Sequence, residues 1–223
     1  MAENSLFSKD GVVVIGLGRF GSAVAESLAR LGHEVLGIDT NADLVQRLAG
    51  RVTHVVEADS TDVETLARLG VAQMPRAVVG IGSDIEASVL TVLALSELNV
   101  ADIWAKAVNA KHGRILERTG AHHVIFPEAD MGERVAHLVT GKMIDFIEFD
   151  DGFAIAKTRP PIHMVGRSLK VSAVRSKFGI TVVGVKRAQE DFTYATPETV
   201  VEKGDLLIVS GQTSLVEKFA ANR

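Results

Sequence analysis

Residues 12–21 constrain this chain more than any other stretch. Four consecutive apolar residues (Val12, Val13, Val14, Ile15) run into Gly16-Leu17-Gly18-Arg19-Phe20-Gly21, and an apolar pattern at helical spacing follows (Ala23, Val24, Ala25, Leu28, Ala29, Leu31). That order is a buried strand, a glycine turn and the start of a helix, as in a dinucleotide-binding crossover. Each glycine has its own reason. Gly16 permits a tight turn off the strand, Gly18 lets backbone approach a pyrophosphate, and Gly21 lets helix and strand pack closely. Unpaired N–H groups at the helix start then face the phosphates.

A lone glycine fingerprint is weak, so its context decides. A second strand is predicted over residues 34–38 and ends on Asp39, close to the roughly 20-residue interval at which a carboxylate takes a ribose hydroxyl. Asp39 also disfavours a 2′-phosphate by charge repulsion, which makes NADP the least fitting cofactor. Further strands are predicted over 52–57, 77–81, 103–107 and 123–126. They alternate with helices beginning near Asn41, near Ser60 and Thr61, near Asp84 and near Lys111. Six mostly apolar strands alternating with helices imply a parallel sheet covered on both faces, an α/β fold of the doubly wound, Rossmann-like kind. Its ligand crevice lies at the carboxyl ends of the strands, where the glycine loop, Asp39, Asp59 and Gly82 converge.

After Pro127 the alternation stops. Residues 128–140 read as one connecting helix, and the remainder reads as a small α+β unit. Strands are expected there at 146–149, 153–158, 181–186 and 206–210, and helices at 171–177 and 213–221. A unit of that size has modest stability alone and gains from pairing with a copy of itself. The expected division is 1–126, 127–141 and 142–223. No internal repeat or low-complexity tract is found.

Composition narrows the function classes. A net charge of −4 and a pI near 6.0 argue against a broad nucleic-acid footprint. The absence of cysteine excludes disulfides, thiolate metal sites and cysteine nucleophiles. The first ten residues are too short and polar for a signal peptide, and no apolar run reaches the roughly 18 residues of a membrane span, so a soluble cytoplasmic protein is expected. An oxidoreductase on this fold normally brings a general acid in a substrate domain. Here the C-terminal segment 142–223 holds one histidine, His163, and the His122-His123 pair starts a strand with its side chains on opposite faces. No nucleophile elbow, zinc-protease helix motif or lysine-containing phosphate loop is present. Arg19, inside the glycine turn, is suited to bidentate phosphate recognition.

Taken with Gly80-Ile81-Gly82, Glu86-Ala87-Ser88, Trp104-Ala105-Lys106-Ala107 and Pro127-Glu128-Ala129-Asp130-Met131-Gly132, the glycine loop resembles that of the KtrA/TrkA-type regulatory subunits of bacterial K⁺ uptake systems. These are built from a domain that regulates the conductance of K⁺ (RCK, or KTN), and the likeness spans almost the whole chain. The resemblance implies a Rossmann-like N-terminal lobe, a crossover helix and a small dimerising C-terminal lobe. It implies a non-enzymatic subunit that assembles as an octameric ring, a tetramer of dimers, on the inner face of the cell membrane. There it would control a K⁺-translocating partner of the KtrB/TrkH type. ATP or ADP, and in some members NAD(H), occupies the crevice. The contacting set would be Gly16, Leu17, Gly18, Arg19, Phe20, Gly21, Asp39, Thr40, Asp59, Ser60, Ile81, Gly82 and Lys106. By position Asp39 would hold the ribose, Asp59 and Ser60 would flank the adenine, and Arg19 would reach terminal phosphates. Glu128 matches a family acid that coordinates a cation (Mg²⁺, Ca²⁺ or Na⁺). Some members bind cyclic di-AMP between C-terminal lobes; Arg175 and Pro197 match that pattern, whereas Leu169-Lys170 replaces a pair of isoleucines. The competing readings are an NAD-linked dehydrogenase and a free-standing NADH redox sensor.

Overall fold

The computed structural model describes residues 10–139, 143–149 and 152–222. Residues 1–9, where no leader is expected, and residues 140–142, at the end of the expected connector and the start of the C-terminal lobe, lie outside the described part. The chain divides into two compact units, Met1–Glu128 and Ala129–Arg223.

The first unit is a six-stranded parallel sheet with helices on both faces. Its strands are β1 (Val12–Ile15), β2 (Val35–Asp39), β3 (His54–Glu57), β4 (Arg76–Val79), β5 (Asp102–Lys106) and β6 (His123–Ile125). They lie in the order β3-β2-β1-β4-β5-β6. The four residues of β1 are all buried because the pleat sends them alternately to two covered faces. Val13 and Ile15 join the core that includes Leu66, Val92, Leu95 and Leu116. Val12 and Val14 join the one that includes Leu17, Ala25 and Leu48. The helices are α1 (Arg19–Arg30), α2 (Ala42–Leu48), α3 (Val63–Arg68), α4 (Ile85–Glu97) and α5 (Ala110–Thr119). This strand order reverses direction between β1 and β4, and a crevice opens there beyond the strands' carboxyl ends.

Local chemistry sets the helix starts. Asn41, Asp62, Asp84 and Asn109 each accept backbone N–H bonds into the first turn of α2, α3, α4 and α5. The third of the expected helices therefore starts later than Ser60-Thr61, because the Asp62 carboxylate takes the cap. Two strands are shorter than the apolar runs imply. Val52 precedes β3 in a turn, where it packs on the α1/α2 side of the sheet, and the neighbouring Thr53 hydroxyl accepts from Val35 N at 3.0 Å. Gly80 and Ile81 leave β4 to form the crevice wall.

Helix α6 (Pro127–Val139) leads into the second unit. That unit is an antiparallel sheet in the order β10-β9-β11-β8-β7. Its strands are β7 (Asp145–Phe149), β8 (Phe153–Thr158), β9 (Thr181–Lys186), β10 (Phe192–Tyr194) and β11 (Leu206–Gln212). Alternate residues of β8 and β11 (Ala154, Ala156, Leu207, Val209) meet Val216 and Phe219 of the last helix, Thr213–Ala221, in one core. The helix expected over 171–177 is two short ones, α7 (Leu169–Ser172) and α8 (Val174–Phe178). Ala173 sits between them at φ 51°, a left-handed conformation that breaks the turn sequence. The helix 213–221 is α9. Strand β10 was not expected; its three residues are exposed. No helix among the described residues is long and apolar enough to cross a membrane.

Candidate nucleotide-binding site

The glycine loop closes on itself and on the loop after β4. Gly16 has φ +85°, and a Cβ there would stand 2.9 Å from Ile81 N. A Cβ on Gly21 would stand 1.9 Å from the Gly16 carbonyl oxygen, so these two glycines are dictated by the fold. Gly80, absent from the expected contact set, is also close, though less tightly: its Cβ would meet Gly16 O at 3.0 Å and Gly21 Cα at 3.3 Å. Its signal in the sequence was a Gly-Ile-Gly directly after a buried strand.

Gly18 differs from all of these. Its φ of −65° suits any residue, and a Cβ there meets nothing within 4 Å among the described residues. Nothing among the described residues demands glycine at this position, and a side chain there would project away from them. Gly18 is also the N-cap of α1, and no side chain caps that helix or places an acid in its first turn. Four other helices of the unit carry an Asx cap. The start of α1 thus combines unscreened positive dipole with room beside the backbone, the arrangement a phosphate group fits.

Asp39 stands beside the loop. Its Oδ2 accepts from Leu17 N at 2.6 Å and its Oδ1 accepts from Asn41 N at 2.8 Å, so the carboxylate tethers the glycine loop to the end of β2. Each oxygen retains a second acceptor direction for a hydroxyl. Ala58 N donates to Asp39 O at 3.0 Å, which brings the β3 end alongside. Asp59 there turns its Oδ1 to the backbone N–H and hydroxyl of Thr61. Ser60 is buried, with its hydroxyl in a 2.8 Å bond to Thr91 on α4, so that hydroxyl is committed inward. Thr40 is exposed next to Asp39.

Across the crevice a charged group gathers. Lys106, at the end of β5 and only 12% exposed, donates to Glu128 Oε1 at 2.6 Å. Its ammonium also lies 5.9 Å from the centroid of the Phe20 ring. Gly82 leaves it space, since a Cβ there would stand 3.0 Å from Lys106 Nζ. The Lys106 bond holds the Glu128 carboxyl below the usual carboxylate range, and the charges of Lys106 and Arg19 act in the same direction. Arg19 itself is exposed on the first residue of α1. The sequence did not indicate the Lys106–Glu128 pair, whose members are far apart in the chain. Among the described residues Glu128 belongs to no group of three carboxylate or imidazole donors. A hard cation held there needs further oxygen ligands from phosphate or water.

The second unit carries a separate cavity of about 670 Å³, lined by residues that include Leu169, Lys170, Arg175, Val182, Thr196 and Pro197. Lys170 and Arg175 share this lining with Leu169, Val174, Ile180 and Val182, so it joins two cations to apolar surface.

Family comparison places the chain. The TrkA-N domain family matches residues 12–127, which take in the glycine loop, Asp39, Lys106 and the whole parallel sheet. This chain belongs to the TrkA family. The TrkA-C domain family matches residues 157–222. Among TrkA-type relatives, Ktr system potassium uptake protein A of Bacillus subtilis is 35% identical, over 92% of this chain and 93% of that protein. Ktr system potassium uptake protein A of Vibrio alginolyticus is 37% identical, over 92% and 94%. The solved GsuK channel bound to NAD has the same fold, with a TM-score of 0.65 at 19% identity, over 96% of this chain and 40% of that one. GsuK bound to ADP aligns over 59% of this chain and 35% of that one, with a TM-score of 0.51 at 20% identity.

Proposed function

We propose that this chain is the nucleotide-sensing regulatory subunit of a potassium uptake system. It takes ATP or ADP, or alternatively NAD(H), in the crevice between β1 and β4, and it controls K⁺ flux through a membrane K⁺-translocating subunit. The observation that carries the nucleotide reading is Gly18: a glycine the fold does not need, at an uncapped helix start, leaving a space that a pyrophosphate fills. The potassium reading is supported by the names of full-length relatives, which are uptake proteins rather than enzymes. The NAD and ADP bound to GsuK in two solved structures that share this fold support the ligand class.

Each side chain then has a task. Asp39 holds the ribose while keeping the loop in place. Asp59 flanks the adenine, with Ser60 forming the wall. The α1 N-terminus takes the first phosphates, Arg19 reaches a third, and the ammonium of Lys106 stands ready for an anion. A divalent or monovalent hard cation is held by Glu128 through Oε2, or in exchange for Lys106, with phosphate oxygens completing its shell. The chain works as a ring of dimers on the inner face of the membrane. Exposed apolar residues of α4 (Ile85, Leu90, Leu93) and α6 (Met131, Val135, Val139) are the surfaces such assembly covers. The cavity of the second unit is the place for cyclic di-AMP, with Arg175 and Lys170 toward its phosphates.

Thermal-shift titration with ATP, ADP, NADH and NADPH tests the nucleotide reading. A ligand at 100 times its Kd adds about 2.7 kcal/mol to the native state. ATP and ADP raise the midpoint, and NADPH has the smallest effect. No shift with any of the four refutes the reading.

A further inference from the structure

We propose that Glu133, His137 and Glu148 form a binding site for a divalent transition-metal ion of the Zn²⁺ class, with Glu217 as the outer partner that orients His137. The site lies wholly within the second unit and shares no residue with the nucleotide crevice or with Glu128. One ring nitrogen of His137 and one carboxylate oxygen each of Glu133 and Glu148 lie within 4.8 Å of one another. Glu133 and His137 are four residues apart on α6 and so share a helix face. Glu148 comes from β7.

Three observations favour a metal over a chance grouping. First, His137 Nδ1 stands 3.1 Å from Glu217 Oε1 on α9. A proton on Nδ1 donated to that carboxylate leaves the imidazole lone pair on Nε2, the carboxylate–histidine arrangement that presents a basic nitrogen to a metal. The Phe146 ring, 4.4 Å from the imidazole centroid, limits the ring's rotation. Second, Glu148 is positioned: the Thr213 hydroxyl donates to its Oε1 at 2.6 Å, which leaves Oε2 to turn toward a ligand. Third, the charge is unbalanced. Three carboxylates surround one imidazole, and among the described residues no lysine or arginine pairs with Glu133, Glu148 or Glu217.

The donor set selects the ion. Imidazole with carboxylates suits Zn²⁺ and its neighbours, whereas Ca²⁺ and Mg²⁺ prefer oxygen alone. Metal–ligand bonds of about 2.0–2.2 Å place tetrahedral ligand atoms roughly 3.4 Å apart. Glu133 is an exposed side chain that can swing inward by that difference, while Glu148 keeps its Oε1 on Thr213 and turns Oε2 toward the ion. Three protein ligands leave the fourth position to water. A metal so bound fastens α6 to β7 directly, and to α9 through Glu217.

The test is calorimetry and metal analysis of the metal-stripped full-length chain titrated with ZnCl₂ without nucleotide, in the parent and in a Glu128→Gln background. Expected is one Zn²⁺ per chain in both backgrounds, not displaced by excess Mg²⁺ or Ca²⁺. Glu217→Gln weakens binding by roughly 10- to 100-fold, the range for an outer-shell partner. His137→Gln and Glu148→Gln each remove stoichiometric binding. If His137→Gln perturbs folding by circular dichroism, Glu148→Gln, an exposed substitution, decides alone. No stoichiometric binding in the parent overturns the proposal. So does Zn²⁺ retained at parental affinity by Glu148→Gln, which assigns it to histidines elsewhere, such as His122 or His123.

Discussion

Replacing Gly18 with alanine separates what the fold needs from what a ligand needs. At φ −65° alanine is unstrained, and its methyl meets no protein atom within 4 Å. The lost unfolded-chain entropy stabilises the variant by about 0.4–1 kcal/mol. Alanine is a poorer N-cap than glycine by a similar amount, so the two effects offset within about 1 kcal/mol. In a chain of this size that moves Tm by roughly 2–4 °C at most. A bound pyrophosphate meets the same methyl at close range. Overpacking of a well-fitted contact costs about 1–3 kcal/mol, or roughly 5- to 150-fold in Kd. Gly21→Ala is the contrast: its methyl would stand 1.9 Å from a backbone oxygen, so stability and binding fall together. The assay is calorimetric ATP binding beside urea melts of both variants. Gly18→Ala that melts like the parent and also binds ATP like the parent refutes the placement of phosphate at the start of α1.

Other expectations follow from single contacts. Asp39→Ala should weaken ATP binding about ten- to hundredfold, the loss of a charge-assisted bond of about 1.5–3 kcal/mol, and should also lower the urea midpoint because Leu17 N loses its acceptor; unchanged calorimetry removes the ribose assignment. Glu128→Gln should blunt cation-dependent stabilisation of the ATP complex in thermal shift while leaving ATP binding in chelator nearly unchanged; an unaltered cation response assigns Glu128 to its pair with Lys106 alone. His112 is 2% exposed, its Nε2 has no hydrogen-bond partner among the described residues, and burial lowers its pKa below the ordinary 6.5. The unfolded chain therefore takes the proton first, so the contribution is fully present above about pH 6.5 and is lost as pH falls toward the folded value. Urea midpoints at pH 7.5 and 5.5 should differ less in His112→Gln than in the parent, and an equal difference contradicts this.

The parallel sheet was legible because burial on both faces forces continuous apolar strands, and β1 and β2 show that directly. Boundaries failed where apolar character had another cause. Val52 is apolar because it packs on the α1/α2 side of the sheet, not because it belongs to a ladder. The interruption at Ala173 had no signal, since alanine is a strong helix former and only the structure shows it at φ 51°. Strand β10 was silent because an exposed three-residue edge needs no apolar pattern. Its Phe192 ring lies over Gly184 of β9, where a Cβ would stand 2.1 Å from the ring, and pairing of that kind is set in space. Of the site, the glycines and Asp39 could be read because a short-range motif carries them. The Lys106–Glu128 pair and the inward-turned Ser60 hydroxyl could not, because each depends on a partner from a distant element.

Potassium flux tests the central claim most directly. Liposomes holding the membrane K⁺-translocating subunit are loaded with this protein under ATP or ADP, alongside Arg19→Ala. Two nucleotides that share adenine, ribose and two phosphates shift an equilibrium differently only through contacts to the third phosphate, and a coupling of about 1–3 kcal/mol corresponds to roughly 5- to 150-fold. The account predicts flux that depends on the added chain and differs between ATP and ADP, with the difference flattened in Arg19→Ala while both nucleotides still bind. Flux that is identical with and without the chain, in either nucleotide, contradicts it.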